Sequence, residues 1–265
     1  MTASARLGLR GAALGYLFLL LAAPVGLIFY RTFEHGIGPA WEAVTTPEAM
    51  HAFYLTFVMI AVAVPLNTIF GVTCALMLVR SRMPGKALVN AFIDMPFAVS
   101  PVVIGLALIL VYGNDGWFGG WLAEQGIQVI FSVPGMILAT IFVSLPFVVR
   151  EVVPVLREIG TEQEQAASTL GASGWQTFRR VTLPSIRWGL TYGIVLATAR
   201  ALGEFGAVSV VSGKLSGETE TATLFVEQRF HQFDLTGAYA ASVVLALMAL
   251  ATLLAMNVLN TRRSE

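Results

Sequence analysis

Cysteine, histidine and charge are all scarce in this 265-residue chain. The single cysteine, Cys74, lies in an apolar run, which excludes a disulfide framework and a cysteine-built metal site. The three histidines, His35, His51 and His231, are far apart, and no pair has metal-ligand spacing. Charged residues make up 12% of the chain, about half their usual share in a soluble domain. The net charge is zero, so bulk charge points to no nucleic-acid partner. No phosphate-cradling G-x-x-x-x-G-K-[ST] loop occurs; Gly213-Lys214-Leu215 lacks both the following hydroxyl residue and the preceding glycine. There is no nucleophile–base constellation either, so the chain is read as having no catalytic centre, metal or cofactor of its own. What is abundant is apolar: 56% of residues are hydrophobic, more than a water-soluble globule can cover, so the solvent is largely lipid.

Six stretches are long enough to cross a bilayer, which takes about 20 apolar residues. They are Gly11–Tyr30, Ala52–Val79, Ala87–Gly113, Ile127–Val149, Trp188–Ser212 and Leu235–Asn260. The first follows Arg6 and Arg10 in the manner of a secretory signal, but its apolar run is too long for one, and it is read as a retained span. Lys and Arg set the orientation, because positive loops stay in the cytoplasm. With the N-terminus inside, the inner set holds twelve: Arg6, Arg10, Arg80, Arg82, Lys86, Arg150, Arg157, Arg179, Arg180, Arg187, Arg262 and Arg263. The outer set holds three, Arg31, Lys214 and Arg229. Both termini are therefore expected in the cytoplasm. Thr46-Pro47-Glu48 supplies an N-cap, a first-turn proline and a first-turn acid just ahead of the second span.

Between Arg150 and Arg187 the chain turns polar. Thr161-Glu162-Gln163-Glu164 reads as a capping box that opens a short helix, and Gly171 is a natural stop for it. Ser173-Gly174-Trp175-Gln176 reads as a second capping box, whose helix would end before Pro184. Two short helices around a glycine make a cytoplasmic knob that either docks a partner or lies on lipid as an amphipathic helix.

Gln165-Ala166-Ala167-Ser168-Thr169-Leu170-Gly171, followed after nine residues by Val181-Thr182-Leu183-Pro184, resembles the EAA loop of ABC importer permeases. Valine stands where that pattern has isoleucine, and Gln165 where it has its leading glutamate; Glu164 is one residue out of register. The resemblance implies an all-α membrane protein of six helices with the type I importer permease (MetI-like) fold. Residues 1–265 would form one permease domain, with 150–187 as its ATPase-coupling loop. The coupling residues carried over are Gln165, Ala166, Ala167, Gly171, Phe178, Val181, Leu183 and Pro184.

Two further stretches narrow the resemblance. Asp94-Met95-Pro96-Phe97-Ala98-Val99-Ser100-Pro101-Val102-Val103 is similar to the third-span signature of sulfate permeases. Trp188 to Gly193, continuing from Arg200-Ala201-Leu202-Gly203-Glu204-Phe205-Gly206 to Gly213, looks like the W-type subunit of sulfate/thiosulfate importers. That resemblance implies a bacterial inner-membrane importer. Its implied partners are a homologous T-type permease, two ATPase subunits carrying ATP and magnesium, and a periplasmic anion-binding protein. The same architecture serves molybdate or tungstate permeases, and a gradient-driven secondary anion carrier is the rival of a different class.

Asp94, Arg200 and Glu204 lie within the expected spans, where an uncompensated charge costs about 2.5–3.5 kcal/mol. Arg200 is about 18 Å beyond Trp188 at 1.5 Å per residue, near the midplane, and Glu204 lies one turn further on the same face. The two are either an internal ion pair or part of an anion route, with Gly203 and Gly206 permitting a bend that would make a gate. Asp94 joins Arg200, Gly203, Glu204 and Gly206 as a candidate pathway or gate residue, and is expected to pair with an inner arginine. Gly189, Gly193, Ala197 and Ala201 form a small-residue stripe suited to close helix packing. Thr219–Phe233 shows a helical period and is expected at the outer face, as a gate, a landing surface for a binding protein, or a plain interfacial helix.

Overall fold

Helix is the only regular structure among the described residues of this computed structural model, which are 3–261 for the backbone and 9–255 for side chains. Arg262 and Arg263, counted above toward orientation, lie outside them, and Arg6 is described by its backbone alone. The chain opens with α1 (Ala3–Leu17) and α2 (Ala23–Phe33), joined without a break by a wide turn over Phe18–Ala22. It continues with α3 (Ile37–Val44), α4 (Pro47–Arg80), α5 (Lys86–Ala98), α6 (Pro101–Tyr112), α7 (Gly119–Glu124) and α8 (Val133–Glu158). Then come α9 (Glu162–Thr169), α10 (Gly174–Thr177), α11 (Leu183–Leu202), α12 (Val208–Val211), α13 (Ala222–His231) and α14 (Leu235–Thr261).

Four stretches are long and apolar enough to cross a membrane: Leu9–Phe33, Pro47–Arg80, Val133–Glu158 and Leu235–Ala255. A fifth counts if α5 and α6 are one broken span, for they are bent by 115° across a short break. The third expected span is thus not straight. Pro101 pushes the preceding Ser100 into an extended conformation (ψ 136°), which ends α5 and starts α6 in a new direction. The fifth expected span is also interrupted: α11 stops at Leu202, and only the short α12 follows. The fourth is displaced. Residues 127–132 are not helical, and α8 runs past Val149 to Glu158 because Val152, Val153 and Leu156 continue its buried face. Arg150 and Arg157 therefore stand on a helix, and the polar knob shrinks from 150–187 to about 159–182.

The core is built on α4, α8 and α11, with α4 and α8 sharing the most extensive interface. Thr46 caps α4 as expected, accepting the Ala49 amide at 3.2 Å. Asn67 of α4 is buried and donates to Ile141 O at 3.0 Å and Ser144 Oγ at 2.8 Å on α8, a polar tie between two helices that lipid would not otherwise drive together. Val148 of α8 is fully buried between two glycines. A Cβ on Gly71 of α4 would lie 2.7 Å from Val148 Cγ1, and one on Gly193 of α11 would lie 3.0 Å from Val148 Cα. Gly189 meets Val155 and Glu151 of α8 as closely, and Ala197 and Ala201 are buried, so the small-residue stripe is a packing face.

The outer segment differs from a helix lying flat on lipid. On α13, Ala222, Leu224 and Phe225 are buried, and the Ala222 amide donates to Thr56 Oγ1 of α4 at 2.9 Å. It is packed into the bundle.

Candidate coupling and gating sites

The knob begins where α8 ends. Gly160 adopts φ +63° and reverses the chain into α9. Thr161 does not cap this helix. Its backbone is near-helical (φ −119°, ψ −1°), and its hydroxyl accepts the Gln165 side-chain amide at 3.0 Å instead of a backbone N–H. The expected capping box fails because Glu164 is engaged elsewhere. Glu164 Oε2 lies 2.9 Å from Arg80 Nε, and Oε1 accepts the Thr182 hydroxyl at 2.8 Å. Gly171, at φ +83°, ends the helix as expected, since an L-residue with a Cβ is strained there. The second capping box is complete: Ser173 Oγ accepts the Gln176 amide, and the Gln176 side chain accepts the Ser173 amide at 2.8 Å.

The helix that this box opens does not end before Pro184. It passes through a wide turn, Phe178–Thr182, directly into α11. Proline lacks the N–H of a regular turn and its ring crowds the carbonyl four residues back, so a turn with one surplus residue accommodates it. The first helix shows the same arrangement, with its wide turn at Phe18–Ala22 just ahead of Pro24.

Within the knob the expected coupling residues separate. Ala166, Ala167, Val181 and Pro184 line one groove of about 740 Å³, together with Leu170 and Arg180. Leu170 and Trp175 stand proud of it, 88% and 68% exposed. Phe178 and Leu183 instead pack against the core below, with Phe178 also beside Trp175 at 5.6 Å. Gln165 is exposed and bonded only within its own turn. The groove runs between α9 and the start of α11, with small side chains at its floor and Gln163, Arg180 and Arg187 also lining it.

The three charges placed within the expected spans, Asp94, Arg200 and Glu204, resolve into two pairs, one of them completed by Arg150. Arg200 Nη1 lies 2.7 Å from Glu204 Oε2, and the Glu204 side chain is only 1% exposed. Glu204 Oε1 also accepts the Ala207 amide at 2.9 Å, across the break after α11. Asp94 of α5 receives both Nε and Nη2 of Arg150 on α8 in a two-pronged pair. Asp94 therefore joins Arg150 and not Arg200. Gly203 ends α11, and a Cβ on Gly206 would lie 2.9 Å from Pro101 Cβ, so the break after α11 packs against the break before α6. Two interrupted helices meeting at their breaks is an arrangement found where transporters form their pathways.

Residues 67–265 match the family described as the binding-protein-dependent transport system inner membrane component. The chain belongs to this family. It is 53% identical over 250 residues to the sulfate transport system permease protein CysW of Synechocystis sp., covering 94% of this chain and 91% of that one. It is 48% identical over 243 residues to the protein of the same name from Escherichia coli K12, covering 92% and 84%. To the sulfate transport system permease protein CysT of E. coli K12 it is 37% identical over 252 residues, covering 95% and 91%. A crystal structure of a bacterial ABC transporter that imports alginate superposes with a TM-score of 0.80 at 18% identity, covering 97% of this chain and 95% of that one. That likeness establishes the fold.

This inner membrane component is thus a multi-pass, all-helical permease. Three residues that tie the knob to the bundle were not among those the motif pointed to: Arg80 at the end of α4, and Glu164 and Thr182 in the knob itself. The one trace of them in the sequence is Glu164 itself, an acid one position before the motif's first place. A step of one residue turns a helix by about 100°, which directs that acid inward.

Proposed function

We propose that the chain is the permease subunit of an ATP-driven importer of sulfate or thiosulfate in a bacterial inner membrane. Support comes chiefly from the near full-length identity to permeases of sulfate transport systems. Greater identity to the W-type than to the T-type protein favours a heterodimer in which a T-type chain is the other half. The excess of Lys and Arg in the expected inner segments favours cytoplasmic termini. The knob then faces the cytoplasm and its groove takes a side chain or short helix of an ATPase subunit, which carries the ATP and magnesium. A periplasmic binding protein delivers the anion on the other side. Arg200 is neutralised by Glu204, so it locks the end of α11 rather than holding the anion.

The test is reconstitution of this chain with the T-type permease, ATPase and binding protein in vesicles. Radiolabelled sulfate should enter only with ATP and be displaced by unlabelled thiosulfate more readily than by molybdate. Uptake by this chain alone, driven by an ion gradient, would overturn the reading.

A further inference from the structure

On α9, Glu164 is the only side chain that hydrogen-bonds outside the knob's own turns among the described residues. Ser168 and Thr169 donate to carbonyls of α9 itself, and Gln165 bonds Thr161. None of the helix is fully buried. Apart from its covalent ends and light packing against α10 and the turn before α11, α9 is held by one carboxylate.

That carboxylate is attached to an unusually connected place. Arg80, the last residue of α4, sits 2.9 Å from Glu164 Oε2 and also donates to Leu156 O at 3.1 Å and Gly160 O at 2.5 Å. These carbonyls belong to the end of α8 and the turn after it, where helix geometry leaves acceptors unpaired and a cation is favoured. On the other side, the buried Thr182 donates to Glu164 from the wide turn that leads into α11. Both charged side chains are about four-fifths covered, so solvent competes weakly for the pair. The ends of α4 and α8 and the entry to α11, the three helices of the core, therefore converge on Glu164.

From this convergence we infer that Glu164 is a positioning residue that clamps α9 to the helix bundle, so that displacement of α9 moves α4, α8 and α11 together. The inference rests on the proposed role of the knob as the ATPase-coupling element. It assigns Glu164 to the inside of the machine: the carboxylate faces this chain's own arginine, while the groove between α9 and the start of α11 contacts the partner. Without the clamp, α9 would follow the ATPase while the bundle lagged behind.

The experiment measures ATP hydrolysed per sulfate imported, in reconstituted complete transporter. Glu164→Ala should leave ATPase co-purification and hydrolysis near wild type and lower thermal stability only modestly, since Arg80 keeps Leu156 O and Gly160 O as acceptors, yet cut uptake at least about tenfold, raising the ratio by the same factor. A merely structural residue would lower stability or assembly without moving that ratio. Should Glu164→Ala fail to accumulate, Glu164→Gln with Thr182→Val, similar in shape at both positions, reads the same quantity. An unchanged ratio in whichever variant accumulates would overturn the clamp. So would loss of uptake in parallel with loss of ATPase co-purification, which would place Glu164 on the docking surface. If instead the wild-type chain fails to bind any ATPase, the coupling role of the knob falls first.

Discussion

Glu204 reaches back one helical turn to Arg200, at 2.7 Å, while its other oxygen holds the Ala207 amide beyond the end of α11. Removing the arginine strands a carboxylate that is almost wholly buried. Loss of one partner of a buried pair costs about 3–5 kcal/mol, and the one-third exposure of Arg200 reduces this to about 2 kcal/mol. Arg200→Met should therefore lower thermal stability in detergent. Arg200→Met with Glu204→Gln should recover most of it, since Gln keeps an acceptor for Ala207. Full stability of the single variant together with loss of transport would point to an anion ligand instead.

Gly171 has φ +83° and nothing near the place a side chain would occupy. Gly171→Val is thus penalised by backbone conformation alone, by about 1–2 kcal/mol. Because the turn lies outside the bundle, the variant should insert and accumulate normally. Its misplaced α9 should reduce ATPase co-purification and uptake together, measured on the same membranes.

Gly193 is different, for its obstacle is the Val148 backbone at 3.0 Å and the Glu151 Cβ at 3.3 Å. Neither is the tip of a flexible side chain. Gly193→Val should force α11 away from α8 and cost about 1–3 kcal/mol, read as a lower melting temperature and lower yield. Gly120→Val, at a glycine with open space around it, is the control.

Glu220 lies in the loop before α13 and is 1% exposed. Burial pushes its carboxyl above the ordinary value of 4.5 and Glu48 adds to the rise, while Ser216 and Arg229 oppose it. The folded protein therefore holds this proton more tightly than the unfolded chain does. Below about pH 4.5 both states are protonated and nothing is lost; as pH rises, the unfolded chain ionises first and folding stability falls. Glu220→Gln should flatten that fall, matching wild type in melting temperature near pH 4.5 and exceeding it at pH 7.

The parts legible in the sequence were those decided within a few residues or by apolar length. Ser173 and Gln176 are three apart and form their box; Gly171 stops its helix; Arg200 and Glu204 are one turn apart and pair. The Thr161 box obeyed the same local rule and still failed, because Arg80, 84 residues away in the chain, captured Glu164. Apolar length located the spans but not their continuity, since a break is tolerated only where neighbouring helices satisfy the freed backbone groups, and those neighbours are far away in the chain. The bend at Ser100 follows from the proline after it, yet membrane helices also carry prolines without breaking, as α4 does at Pro65 and α8 at Pro146 and Pro154. The groove was half legible: the motif supplied Ala166, Ala167, Val181 and Pro184, while Phe178 and Leu183 turned to the core.

The wide turn at Phe178–Thr182 sets a rotational phase. Its surplus residue offsets everything after Pro184 by about 100° relative to the helix that Ser173 begins. Glycines 189 and 193 face α8 only because of that offset. Deleting one residue there would leave an ordinary helix of nearly the same length, yet it would swing the small-residue stripe away from α8. The join between knob and bundle is thus keyed like a shaft, and its angle is as much a part of the transporter as the surfaces at either end.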